Sequence, residues 1–164
     1  MATPVNWYKK FKYVIQIDGV ARAAFTTCSE LRINAETVTH REGGRLHAHK
    51  APGLIEFPAI TLDRGVTNDL DLYSWMRDTF DAATGTGLVT PDLYRTFDIV
   101  QFDRAGEELE RYTVYDAWCK EYSAGDWDNN ANEVRMETVV IECDYWERTP
   151  ASRNQLPRAA LGHA

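Results

Sequence analysis

Apolar residues recur at every second position along much of this chain, and only one segment carries a helical period. A period of two sends alternate side chains to opposite faces of an extended strand, so it calls for sheets with one buried face. In residues 11–18, Phe11, Tyr13, Ile15 and Ile17 share a face, and Asp18-Gly19 marks a hairpin turn in which glycine accepts the positive φ. Residues 21–27 form the return strand, and residues 30–40 a further strand whose alternation Asn34 and Glu36 weaken. Residues 54–63 read as a strand with Ile60 and Leu62 on one face; Pro58 has no amide donor and marks an edge or a bulge. The second half contains strands at 94–102 and 109–122 joined by a turn at 103–106, then a polar loop at 123–132. A long strand at 133–147 follows, with Val139, Ile141, Cys143 and Tyr145 on one face.

The helical segment begins near Asn68, a residue able to cap it, with Asp69 and Asp71 at the positive end of the dipole. Leu72, Trp75, Met76, Phe80 and Ala83 make one apolar stripe, and Gly85 and Gly87 end it. The resulting fold class is mainly β: two packed antiparallel sheets closing toward a barrel, with one flanking α-helix. Residues 1–148 make a single domain, and residues 149–164, with two prolines, two arginines and no acid after Arg148, form a flexible tail. Residues 41–53 are polar, glycine-bearing and without a period, a long excursion from the core of the kind usually kept for function.

Composition narrows the function. With 18 basic and 25 acidic residues the net charge is -7, which argues against a surface that coats nucleic acid. The three cysteines Cys28, Cys119 and Cys143 are widely spaced, and no pair has metal-finger spacing, so reduced thiols in a cytosolic product are expected. The first ten residues lack the apolar run of a signal peptide, and no stretch approaches the roughly 18 apolar residues of a membrane span.

Four patterns could carry chemistry. His47 and His49, with His40 nearby, could ligate zinc or copper, but only Glu42 stands near them as a further ligand, and solvated loop histidines are the better account. Asp126, Asp128, Asn130 and Glu137 copy the spacing of a calcium loop, yet Ala131 occupies the position of its turn glycine and Glu137 falls in a predicted strand. None of Ser29, Ser74, Ser123 and Ser152 lies in a Gly-x-Ser-x-Gly turn, and nothing local pairs Cys119 with a histidine. Gly85-Thr86-Gly87 follows the helix, so it presents no helix N-terminus to a phosphate. No catalytic residue, cofactor or metal site is expected.

In combination, five segments resemble the tail tube protein family of contractile phages and extracellular contractile injection systems. They are residues 11–19; Phe25 through Ser29-Glu30-Leu31; Thr39 through Gly44; Lys50-Ala51-Pro52-Gly53 with Phe57; and residues 60–67 leading into Leu72-Tyr73-Ser74-Trp75. The likeness spans about residues 8–147, with Cys28-Ser29-Glu30 departing from the usual glycine. It implies a non-enzymatic inner-tube subunit whose hexameric rings stack into a hollow conduit for DNA or protein cargo. The implied partners are further copies of itself, sheath subunits, and baseplate and tube-terminator proteins. It implies synthesis in the bacterial cytoplasm and assembly into a phage virion tail or an extracellular particle. Residues 41–53 would then reach the neighbouring ring through Arg41, Glu42, Gly43, Gly44, Arg45, His47, His49, Lys50 and Gly53. Residues 1–148 hold 16 basic and 25 acidic residues, net -9, so an acidic or mixed lumen is expected. A tube-initiating or baseplate ring paralogue would share these features, and a monomeric ligand-binding β-barrel is the alternative of another class.

Overall fold

The computed structural model describes residues 8, 10, 12–17, 25–81, 83–87 and 93–150. The turn expected at Asp18-Gly19, the start of the expected return strand and residues 151–164 lie outside them. Strand β1 runs from Tyr13 to Ile17 and β2 is the short Thr27–Cys28. Strands β3 (Asn34–His40) and β4 (His49–Glu56) form a hairpin, and β5 spans Ile60–Gly65. Helix α1 is Asp71–Arg77. A small hairpin of β6 (Phe80–Asp81) and β7 (Thr86–Gly87) follows it. The last four strands are β8 (Arg95–Phe102), β9 (Glu108–Ser123), β10 (Met136–Glu142) and β11 (Tyr145–Pro150).

The mainly β class holds, with antiparallel pairing throughout. One sheet has the order β1-β8-β9-β11 and the other β9-β10-β5-β2; β9 belongs to both. Its first half pairs with β8 and β11, and its second half with β10. The passage is made at Asp116, whose φ of 51° is in the left-handed region that aspartate tolerates better than most residues. This corner breaks the single strand expected over 133–147. Cys143 and Asp144 fall opposite the bend, and Asp144 N donates to Tyr115 O at 3.2 Å. The alternation restarts there: Val139 and Ile141 are buried, Tyr145 is exposed, and Trp146 packs against the core instead. Strand β11 carries on through Thr149 and Pro150, which face Arg111 and Glu110.

The two sheets close on one core. Ile15 and Ile17 from β1, Phe97 and Ile99 from β8, and Val114 and Cys119 from β9 meet Ile60 and Leu62 from β5 and Val139 and Ile141 from β10. Leu72 and Trp75 from α1 complete it, and Trp75 Nε1 donates to Leu93 O at 2.9 Å. The helix is shorter than the stripe foretells. Its N-cap is Leu70 without a side-chain bond; Asn68 does not cap it, and Asp69 Oδ1 accepts from Asp71 N at 3.1 Å. Thr79 closes the last turn by bonding Met76 O through both its amide and its hydroxyl, at 3.1 and 2.7 Å. Phe80 therefore leaves the helix for β6, and the Asp81 carboxylate organises the following turn by accepting from Ala83 N and Thr84 Oγ1.

Pro58 ends a strand rather than bulging one: the expected strand 54–63 is split between β4 and β5 around residues 57–59. Beneath this region, buried Arg64 bonds Glu137 through Nε, and Tyr122 OH donates to the same carboxylate at 2.8 Å. Arg64 also donates to Asp69 O, so one guanidinium ties β5, β10 and the entry to α1.

Two stability measurements follow. Arg64→Ala leaves the Glu137 carboxylate buried and unpaired, and should cost about 3–5 kcal/mol in urea unfolding, whereas the Arg64→Met, Glu137→Leu double variant should lose less. The Tyr122 hydroxyl is pushed up to about 12 by burial and then by its bond to Glu137. The folded chain thus keeps a proton that the unfolded chain releases near 10. Stability present below that pH should fall as pH rises through about 12, with a shallower slope in Tyr122→Phe.

Candidate assembly surfaces

The β3–β4 hairpin is a two-stranded arm separate from both sheets, and every residue of β3 is exposed. An isolated hairpin of this kind is marginal in water on its own. The structure moves part of the loop expected at 41–53 into this arm. His49 through Gly53 belong to β4, pairing His49 with His40, Lys50 with Thr39 and Ala51 with Val38. Both faces of β4 meet solvent, so no alternation marked it as a strand. The excursion proper is 41–48. Arg41 and Glu42 begin it, Gly43 and Gly44 turn it, and Gly44 has φ 91°. Arg45 folds back on Glu42 at 3.4 Å. Gly53 lies against Val38, where an added Cβ would come within 3.1 Å of a methyl group.

Of the residues singled out by sequence, the structure therefore pairs Glu42 with Arg45 and His40 with His49. Among the described residues no group of three or more histidines, cysteines or carboxylates is placed to hold a metal. The calcium pattern fails on geometry, because Glu137 is buried and committed to Arg64 and Tyr122. Ser29 Oγ accepts from Thr61 N at 2.9 Å, a structural bond that continues the β2–β5 pairing. Sequence reasoning missed the exposed apolar residues of the arm, Val38, Leu54 and Ile55 on its strands and Leu46 at its tip. Their signal is apolar character inside a segment with no period.

A second surface is the four-stranded sheet β1-β8-β9-β11. Among the described residues, β1 pairs only with β8 and β11 only with β9, so they are the outermost described strands of the sheet. Its face away from the core carries Gln16, Asp98, Arg111, Thr113 and Glu147, and Arg111 bonds both Asp98 and Glu108. A third feature is an open pocket of about 330 Å³ lined by side chains from β1, β2, β8 and β9, among them Tyr13, Cys28, Ile99 and Tyr112.

The shared strand β9, the buried Arg64–Glu137–Tyr122 network and the exposed two-stranded arm define a β scaffold that carries a projecting hairpin. The chain belongs to the T4-like virus tail tube protein gp19 family, whose sequence profile matches residues 9–147. No curated protein sequence matches it. Among solved structures, the fold is similar to the tube-terminating cap of the anti-feeding prophage, with a TM-score of 0.77 and 22% identity over 92% of this chain and 97% of that one. It is also similar to a chain of the extended sheath-tube complex of an extracellular contractile injection system, at 0.72 and 19% over 87% and 91%. Hcp1 from Flavobacterium johnsoniae matches at 0.58 and 16% over 86% and 97%. The family gives the chain a tube-related structural role.

The thiols offer a check on packing. Burial pushes Cys28 and Cys119 up to about 11, from an ordinary value of 9.0. At pH 8 each should hold about a hundred-fold less thiolate than a free cysteine. Labelling by a disulfide reagent should be correspondingly slow for Cys28. Cys119, fully buried, should label only on unfolding.

Proposed function

We propose that the chain is the inner-tube subunit of a contractile tail or injection machine, forming hexameric rings that stack into a hollow conduit for DNA or protein cargo. The observation that carries this is the match to the tail tube family over residues 9–147, in a chain whose β1-β8-β9-β11 sheet has β1 and β11 as its outermost described strands. Open edges invite pairing with another chain. Setting β11 of one copy beside β1 of the next satisfies both edges, and the rotation closes into a ring when the contact is head to tail. The face of that sheet turned from the core then lines the lumen. Its charges are mixed, Asp98 and Glu147 against Arg111, which suits a wall that a polyanion slides past. The β3–β4 arm reaches the neighbouring ring, where its basic and acidic residues set register more than they add affinity. Sheath subunits surround the tube, baseplate and terminator proteins hold its ends, and the particle is a phage tail or an extracellular machine assembled from subunits made in the bacterial cytoplasm.

A second reading has support in the likeness to the anti-feeding prophage cap and to that prophage's six-fold symmetrised baseplate, the latter at a TM-score of 0.72 and 18% identity. It makes the chain a ring at one end of a tube, such as a tube initiator or baseplate ring, with the same edges and arm. Negative-stain microscopy of the purified protein separates the readings. Long hollow tubes from the chain alone support the tube subunit, single rings that cap or start another protein's tube support the end ring, and a monomer at high concentration defeats both in favour of a monomeric β-barrel. The double variant Arg41→Ala, Glu42→Ala should keep the monomer's circular dichroism, since neither residue touches the core, and should shorten the tubes. Tubes of unchanged length would remove the arm from ring stacking.

A further inference from the structure

Spacing along the chain puts His47 beside His49, but the β3–β4 ladder sets His49 directly opposite His40, across the excursion 41–48. Directly opposed residues of an antiparallel pair share a face, with Cβ atoms about 4.5–5.5 Å apart. Both histidines are exposed, so their rings can turn toward one another without repacking the core. The register shift in this ladder lies between Ala35 and Thr37, away from the histidine rung. The next rung, Thr39 with Lys50, falls on the opposite face, and the one after it, Val38 with Ala51, returns to the histidine face. The Lys50 ammonium is thereby turned away, and the histidine face carries no charge along these rungs. The Glu42 carboxylate is taken up by Arg45 at 3.4 Å.

We propose that His40 and His49 chelate a divalent copper or zinc ion, which clasps the arm at the last rung of its ladder. Each neutral imidazole gives the ion one nitrogen lone pair, at about 2.0–2.1 Å for zinc. Among the described residues no third histidine, cysteine or carboxylate is placed to join them, so water completes the shell and the site is a two-ligand chelate. Imidazole suits copper and zinc, whereas magnesium and calcium call for oxygen ligands, and copper binds such a site more tightly than zinc. A two-stranded hairpin is marginal in water, and an ion that bridges the strands only when they are paired stabilises the paired form. The clasp stands on the ladder of one chain and is the same whether that chain builds a tube or an end ring.

Calorimetric titration of the full chain, freed of any affinity tag, with copper(II) or zinc chloride tests the site, together with hydrogen exchange read by mass spectrometry. A single ion per chain is expected, copper tighter than zinc, with no binding of magnesium. His40→Ala and His49→Ala should each weaken binding by about ten-fold or more, because either change breaks the chelate, and neither should alter the circular dichroism. His47→Ala should leave the affinity unchanged. Zinc should slow exchange in residues 34–40 and 49–56 and leave β5 and β10 as they were. Absence of binding, equal binding by His40→Ala and the unaltered chain, loss of binding in His47→Ala, or slowed exchange outside the arm alone would each overturn the chelate and leave an adventitious ion only.

Discussion

Strand β9 is the element on which the other parts of the structure depend. Its sixteen residues serve two sheets, and the positive φ at Asp116 turns the strand from one to the other. A buried strand must pair its amides and carbonyls on both sides, so a bend in β9 imposes a bend on whatever lies beside it. The break between β10 and β11 at Cys143 and Asp144 is that consequence, and the Asp144 N to Tyr115 O bond marks the place. Once β9 has turned, Val114 and Cys119 face the same interior from different sheets, Val114 beside Phe97 of β8, and Cys119 on the sheet that supplies Ile60, Leu62, Val139 and Ile141.

Within that frame the buried polar groups are used for orientation. Arg64, Glu137 and Tyr122 join β5, β10 and β9, and Arg64 Nη2 reaches Asp69 O just before α1. Because removing one partner of a buried pair is far costlier than never burying it, such a network fixes where the helix enters more than it adds to net stability. Among the described residues, the periphery holds the outer strands β1 and β11 of a four-stranded sheet and an arm whose two strands pair with each other. Exposed strands of this kind invite pairing with another chain, and an assembly can turn the same groups into specific contacts. That is the physical link between the observed fold and the tube-related role of its family.

Strands with one buried face were legible. Ile15 and Ile17 flank Gln16, and Ile60 and Leu62 flank Thr61, because burial on one side requires apolar residues only at alternate positions; Val139 and Ile141 hold the same register around half-buried Val140. The stripe Leu72, Trp75 announced a helix for the same reason, although local bonds of Thr79 and Asp81, invisible to an apolar pattern, ended it before Phe80. The arm was half legible: Arg41 through Gly53 stood out as a polar excursion, but His49 through Gly53 went unrecognised as the first part of β4 because neither face there is fully buried and so neither had to be apolar.

Spacing and composition alone specify which residues must leave water, the mainly β class and, through five ordered segments, a likeness to the tail tube family. Those are local properties, written in spacing and composition. The folded chain adds that β9 is shared, that Glu137 faces Arg64 rather than an ion, and that Tyr13, Cys28 and Tyr112 line one pocket. These depend on pairings between residues far apart in the chain, such as Arg64 with Glu137 and Cys28 with Leu62. The register of such pairs is set by the whole core closing at once, not by any single segment.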